Sequence, residues 1–348
     1  MRAIDFFCGG GGMTHGLLKA GIRVLAGVDI CPDYQKTYEE NNNNCYIAKS
    51  ISDVSEEDIL RFIPDIYTAE DILFVGCAPC QPFSKQRNSV EEHKDRALLT
   101  EFGGVVARFR PAYVAVENVP GIKGKGKDVF YQFLKVLETN GYKYTYAVLN
   151  AKNYGVPQNR KRLVLIASRL AEVFLPEASF DGQEKPYRTV ADAIGTYPSL
   201  KAGEKNDSIP NHKATTLSQL NLERIRATVH DGGSRTGWPE ELILKCHKSE
   251  KSGHTDVYGR MAWNSVAPTL TSKCCSLSNG RFGHPEQDRA ISFREAAALQ
   301  SFPDSYIFYG KADSIIARQI GNAVPVLLAK AIGETIDTMH KDYILKKK

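Results

Sequence analysis

The chain has 348 residues, 42% hydrophobic and 24% charged, with a formal net charge of +5. That length suggests two domains and that composition a soluble globular protein, and no apolar run reaches the roughly 18 residues that would indicate a membrane span. The mild basic excess permits a polyanionic partner without demanding one. The opening residues, MRAIDFFCGG, run straight into a strand-like segment. They lack the apolar region and small-residue cleavage site of a signal peptide, so a cytoplasmic location is expected. The cysteines (Cys8, Cys31, Cys45, Cys77, Cys80, Cys246, Cys274 and Cys275) are scattered, which disfavours a disulfide framework. Cys77 and Cys80 have no second close pair to complete a zinc site, and adjacent Cys274 and Cys275 are badly spaced for one; no metal is expected.

Residues 2–7, RAIDFF, read as a strand ending in glycines, and GLLKAG as a helix closed by Gly21. RVLAGVD is a second strand and PDYQKTYEEN a second helix, with Pro32 placed to start it. SEEDILRFI is a helix with Ser55 as N-cap and Asp58 three residues later in an approximate capping box. DILFVGC is a continuously apolar strand of the buried kind. RALLTEFGGVVARF reads as helix, AYVAVENV as buried strand and DVFYQFLKVLETNG as amphipathic helix; the strands YKYTYAVLN and RLVLIAS follow. Such alternation predicts a doubly wound, mostly parallel α/β sheet with ligands bound at the C-terminal strand ends. After Pro176 short turns and prolines dominate, as in a second, smaller domain, and two helical segments close the chain.

The stretch DFFCGGGGMTHGL joins the first strand to a helix. Its glycines allow close backbone approach to a ligand. The dinucleotide pattern G-x-G-x-x-G fails because Thr14 occupies the third glycine position. Asp29 ends the second strand, where a carboxylate can hold ribose hydroxyls. Asp53 follows the third strand and is placed for an adenine amino group. A nucleoside cofactor without pyrophosphate, S-adenosylmethionine, fits better than NAD.

Cys80 lies four residues beyond Gly76, between Pro79 and Pro82, on the ligand edge of the sheet. A nucleophilic cysteine needs a thiolate in fixed geometry, and the prolines stiffen its surroundings. The following SKQRNSVEEHKDRALL is a candidate lid, whose Lys85, Arg87, Lys94 and Arg96 suit phosphates. Glu117 ends the fifth strand on the same edge, where a carboxyl group can exchange protons with a substrate. Arg160 and Arg162 stand two apart entering a strand, so alternation is expected to point both to one face, toward phosphate or carbonyl oxygen.

In this order, DFFCGGGG, Asp29, Asp53, PCQPFS, ENV, QNRKR, REAAALQSFPD and QIGNAVPV resemble the C5-cytosine DNA methyltransferases of bacterial restriction–modification systems. Cys8 stands where that family more often has alanine. The resemblance implies a Rossmann-like methyltransferase fold, with residues 1–175 and 310–348 as the S-adenosylmethionine-binding domain and 176–309 as target-recognition domain and hinge. It implies that Cys80 attacks C6 of a flipped-out cytosine, Glu117 engages N3 and the exocyclic amine, Arg162 contacts the base carbonyl and Arg160 a phosphate. It implies a cofactor pocket of Phe7, Gly9, Gly11, Asp29, Asp53, Asn322 and Val324, with S-adenosylhomocysteine as product. DNA contacts are expected from Ser84, Lys85, Arg87 and Arg96, and in the second domain from Arg260, Thr269, Thr271 and Arg281. The implied partner is double-stranded DNA, met by a monomer on the nucleoid, with a cognate restriction endonuclease acting separately.

Three other readings compete. A tRNA cytosine-5 methyltransferase would use the same fold and chemistry. A catalytically inactive DNA-binding relative would not retain Cys80, Glu117, Arg160 and Arg162 together. A thiol-redox protein would depend on Cys77 as much as on Cys80.

Overall fold

The computed structural model describes residues 1–79, 92–248 and 256–348, with the backbone alone at 92–96. The chain divides into two compact units. The first comprises Met1–Tyr154, Lys161–Ser179 and Val324–Lys348; the second comprises Gly155–Arg160 and Phe180–Ala323.

In the first unit, β1 (Arg2–Phe6), α1 (Gly12–Lys19), β2 (Arg23–Asp29), α2 (Gln35–Asn42), β3 (Cys45–Ala48) and α3 (Glu56–Leu60) form one half. The other half holds β4 (Ile72–Gly76), α4 (Glu92–Phe109), β5 (Tyr113–Asn118), α5 (Lys127–Thr139), β6 (Lys143–Asn150) and β7 (Lys161–Ser168). The sheet order is β3-β2-β1-β4-β5-β7-β6. All pairings are parallel except those of β7, which runs antiparallel to both β5 and β6. β1 pairs with β2 on one side and β4 on the other, so the order reverses there. The crevice beyond the C-terminal ends of β1 and β4 is the switch point where such sheets bind ligands.

Local chemistry explains the elements. β4 and β5 are buried along their whole length, hence the apolar run of β4 and of β5 up to Val116. Ser55 and Asp58 form the expected capping box on α3. Pro32 opens a single 3-10 turn, and α2 proper begins only at Gln35. Phe6, Phe74, Phe102 and Phe133 interlock with ring centroids 5.1, 5.4 and 5.9 Å apart along the chain of contacts. Gly76 closes β4 against this cluster, since a Cβ there would sit 2.6 Å from the Phe102 ring.

The second unit holds α6 (Val190–Ile194), α7 (Gln219–Arg226), α8 (Phe293–Leu299) and α9 (Asp313–Asn322). Among the described residues its extended pieces make only isolated bridges. Fully buried arginines Arg260, Arg289 and Arg294 collect backbone carbonyls that would otherwise lack a ladder partner. Helix α9, expected with the first domain, falls in this unit. Gln300 donates to Ile320 O at 2.8 Å, and Lys213 pairs with Asp313 at 2.8 Å.

The final helix, α10 (Val326–Lys347), returns to the first unit. With α9 it is long and apolar enough for a membrane span by composition. Pro325 separates the two, and Val326, Leu328, Ile332, Ile336 and Met339 are buried, as in a core helix.

Candidate active site

The glycine loop leaves β1 through a left-handed Phe7 (φ 60°) and continues through left-handed Gly9 (φ 52°) and Gly11 (φ 87°). Gly11 is the N-cap of α1. At Gly9 the space a Cβ would occupy is open for 4 Å, so a ligand can approach its backbone. The Gly9 N–H donates to Asp29 Oδ2 at 3.0 Å, and Cys31 N–H donates to Oδ1 at 2.9 Å. Asp29 is thus fixed at the end of β2, and burial pushes its carboxyl up from the usual range. Exposed Asp53 ends a 3-10 turn after β3 whose first residue, Ile51, is buried.

Asp5 was not among the expected site residues. It is fully buried in β1, and its Oδ2 accepts Thr14 N–H at 3.1 Å and Thr14 Oγ–H at 2.7 Å. Its Oδ1 has no partner among the described residues. Burial pushes this carboxyl up to about 7. Its sequence signal is an acid inside the apolar run AIDFF. The placement tests the cofactor class. Thr14 is the third residue of α1, and its N–H is one of the groups a helix start offers to phosphate. Here a buried carboxyl takes it, and a phosphate would meet that acid. The loop therefore fits a phosphate-free nucleoside better than a dinucleotide.

At the far side of β4, strand register brings Glu117 and Arg162 together. Glu117 is opposite Val164 in the β5–β7 ladder, and Arg162 is two residues from Val164 on the same face. Arg162 Nε lies 2.9 Å from Glu117 Oε1, with both side chains largely buried. The contact is off the line of a directed hydrogen bond, which leaves Oε1 without a hydrogen-bond donor among the described residues. Next to it, Asn118 Nδ2 donates to Ala78 O at 3.3 Å and so ties the chain leaving β4 to the end of β5. Burial pushes the Cys77 thiol well above its ordinary range, and nearby Glu117 and Asp5 add to this. Cys77 is therefore a poor thiolate, against the redox-pair reading.

Cys80, Ser84, Lys85 and Arg87 lie outside the described residues, as does the side chain of Arg96. Among the described residues no cluster of metal-ligating side chains occurs. Exposed Asn322 ends α9 in the second unit, whereas buried Val324 belongs to the first.

The structure corrects the expectation for Arg160. The strand starts at Lys161, so alternation does not carry Arg160 to the face of Arg162. Its buried guanidinium instead donates to Leu270 O, Gly321 O and Ala323 O at 2.9–3.2 Å. It is a clamp inside the second unit, not a phosphate contact. Arg260 is corrected likewise: 0% exposed, it donates to Ile225 O, Thr228 O, His284 O and Gln287 O and pairs with Asp288. Arg281 is largely spent on Gly232 O, Gly233 O and Asp256. Exposed Thr269 donates its hydroxyl to Asn159 O at 2.6 Å. At Thr271 the backbone is crowded, since a Cβ on Gly321 would lie 1.8 Å from Thr271 O.

A family model described as C-5 cytosine-specific DNA methylase matches residues 1–338. The type II methylase M.HgiDII of Herpetosiphon aurantiacus is 42% identical over 338 residues, covering 96% of this chain and 94% of that protein. The type II methyltransferase M1.HphI of Haemophilus parahaemolyticus is 37% identical over 347 residues, covering 97% and 87%. Among solved structures, an E. coli prophage protein assigned as a DNA modification methyltransferase superposes with a TM-score of 0.73 at 23% identity, covering 98% of this chain and 99% of that one. The Dnmt2 methyltransferase of S. pombe has the same fold, with a TM-score of 0.66 at 16% identity and 98% of each chain covered.

Proposed function

Because the chain belongs to the family of C-5 cytosine-specific DNA methylases, we propose that it methylates a flipped-out cytosine in a specific duplex through a covalent Cys80 adduct, with S-adenosylmethionine as donor. It is a DNA (cytosine-5)-methyltransferase of the type II restriction–modification kind. The Cys80 thiolate adds to C6 of the extruded base, the C6–S bond forming as the C5–C6 double bond opens. Glu117 engages N3 and the exocyclic amine and offsets the charge developing at N3, while Arg162 holds the base carbonyl. S-adenosylmethionine, when bound, supplies the electrophilic methyl group to C5. A base then takes the C5 proton, and the C6–S electrons leave with Cys80 as the double bond re-forms. Gly9 and Asp29 are the residues that would hold the nucleoside, with Phe7, Gly11 and Asp53 beside them.

One observation carries this reading. The β5–β7 register sets Glu117 against Arg162 at 2.9 Å, on the sheet edge where β4 ends and four residues before Cys80 follows. The partner is duplex DNA, met by a monomer in the cytoplasm at the nucleoid, with a restriction endonuclease acting separately. The test offers purified protein and S-adenosylmethionine either duplex DNA containing 5-fluorocytosine or tRNA. Fluorine cannot leave as the proton does, so wild type should form a denaturation-stable adduct with the duplex and Cys80→Ser none. An adduct that survives Cys80→Ser, or methylation confined to tRNA, would overturn the proposal.

A further inference from the structure

Among the described residues of the second unit Val229 is the most exposed large hydrophobic, at 70%, followed by Leu220 at 44%. It opens a short turn, Val229–Gly233, followed directly by exposed His230 and Asp231. The backbone around it is held at almost every step. Thr228 is buried: its hydroxyl accepts Trp238 Nε1–H at 2.8 Å, and its carbonyl accepts Arg260 Nε–H at 3.0 Å. Asp231 N–H donates to Pro285 O at 2.8 Å, and Asp231 Oδ1 accepts Trp263 N–H at 2.6 Å. Gly232 O and Gly233 O accept Arg281 Nη1–H at 2.7 and 3.0 Å, and Gly233 O also accepts Arg260 N–H at 3.0 Å.

The turn is also conformationally demanding. Asp231 (φ 52°) and Gly232 (φ 99°) are both left-handed. A Cβ on Gly233 would lie 2.1 Å from Val229 O, so only glycine lets the chain close on itself there. An aliphatic side chain on a loose loop folds inward. Two arginines and a left-handed turn prevent that here, and the side chains left outward are Val229 and His230. A turn kept in place by so many bonds presents these two side chains in fixed positions.

We propose that this turn reads one base pair of the target, with Val229 as a specificity-determining side chain and His230 beside it; the inference rests on the duplex-DNA reading above. The chemistry suits the major groove, where a branched aliphatic group packs on the thymine C5 methyl and an imidazole meets a base-edge acceptor or donor. Because the turn is held before binding, contact needs little further ordering of the chain. The arginines expected to touch DNA, Arg260 and Arg281, act from behind and hold the reading surface out.

The test is bisulfite sequencing of a randomised duplex library methylated by wild type, Val229→Ser, His230→Ala and, as control, Leu220→Ser. Expected is a wild-type preference that weakens roughly 5- to 100-fold at one base pair in Val229→Ser, weakens at the same or the adjacent pair in His230→Ala, and is unchanged in Leu220→Ser. Profiles identical to wild type in both turn variants would overturn the inference. So would a uniform loss of methylation across all sequences, or equal broadening by Leu220→Ser. If wild type itself methylates no cytosine in the library, the functional reading fails and not the turn.

Discussion

Asp5 places a carboxyl group inside an otherwise apolar strand, one turn of backbone before the glycine loop. With its ionisation pushed to about 7 against an ordinary 3.8, the folded protein holds its proton where the unfolded chain has released it. Stability from this group is therefore complete below about 4 and falls as pH rises through 7. Three units correspond to on the order of 4 kcal/mol at most. Asp5→Asn cannot titrate, so the melting temperature of wild type relative to the variant should decline between pH 4 and 8 in calorimetry; a constant offset would refute it. Arg160 offers a second test. As a clamp on three carbonyls, its replacement by Lys should cost on the order of 2–3 kcal/mol of stability. The salt dependence of duplex binding should stay the same, whereas loss of a phosphate contact would lower the log–log slope by about 1. Only part of the site was legible from residue types. Glu117 and Arg162 stood out because each lies at a strand end in a polar motif. Arg160 did not sort correctly because it lies one residue before the strand, where period-two alternation no longer sets the direction of a side chain.

At the scale of elements, α1 connects the glycine loop to the rest of the first unit through α10. A Cβ on Gly16 would lie 2.4 Å from Ala329 Cβ and 2.6 Å from Val326 O, and one on Gly333 would lie 2.8 Å from Ala20 Cβ. Both helices use glycine to come close. Backbone cannot move aside as a side chain can, so Gly16→Ala must displace α1. The cost should be about 1–3 kcal/mol, with S-adenosylmethionine binding by calorimetry weakened in step, because Gly11 caps the same helix. Unchanged affinity with lowered stability would separate the loop from its helix. The strands were readable because parallel strands buried on both faces need continuous apolar runs. The antiparallel direction of β7 was not, since nothing in RLVLIAS encodes which way a buried strand runs. In the second unit, outside its helices, there was little period to read, because among the described residues its extended pieces are held by side chain to carbonyl bonds and isolated bridges and not by ladders.

The whole molecule thus joins two kinds of construction. The first unit is a sheet around interlocked aromatic rings, while the second combines smaller apolar clusters, such as Ile225, Trp238, Tyr258 and Leu277, with a few buried ions. Arg289 and Glu295 make the clearest of these. Both are essentially buried, and the guanidinium donates to the two carboxylate oxygens at 2.8 and 2.7 Å. Glu295 Oε2 also accepts Ser292 N–H at 2.7 Å, closing the capping box of α8. His284 Nε2 is 3.9 Å from Glu295, but burial pushes that imidazole down to about 4, so at neutral pH it is uncharged. Arg289 is then the effective counter-charge. Removing one member of a buried pair costs about 3–5 kcal/mol, because the other charge stays behind. Arg289→Ala should therefore lose amide protection at 282–300 in hydrogen-exchange mass spectrometry at pH 7. Peptides from β1, β4 and β5 should keep theirs, since these strands draw protection from an apolar core the substitution does not touch. Equal loss in the sheet would mean that the two units unfold as one, and no loss at 282–300 would mean that the ion pair is not what holds the second unit.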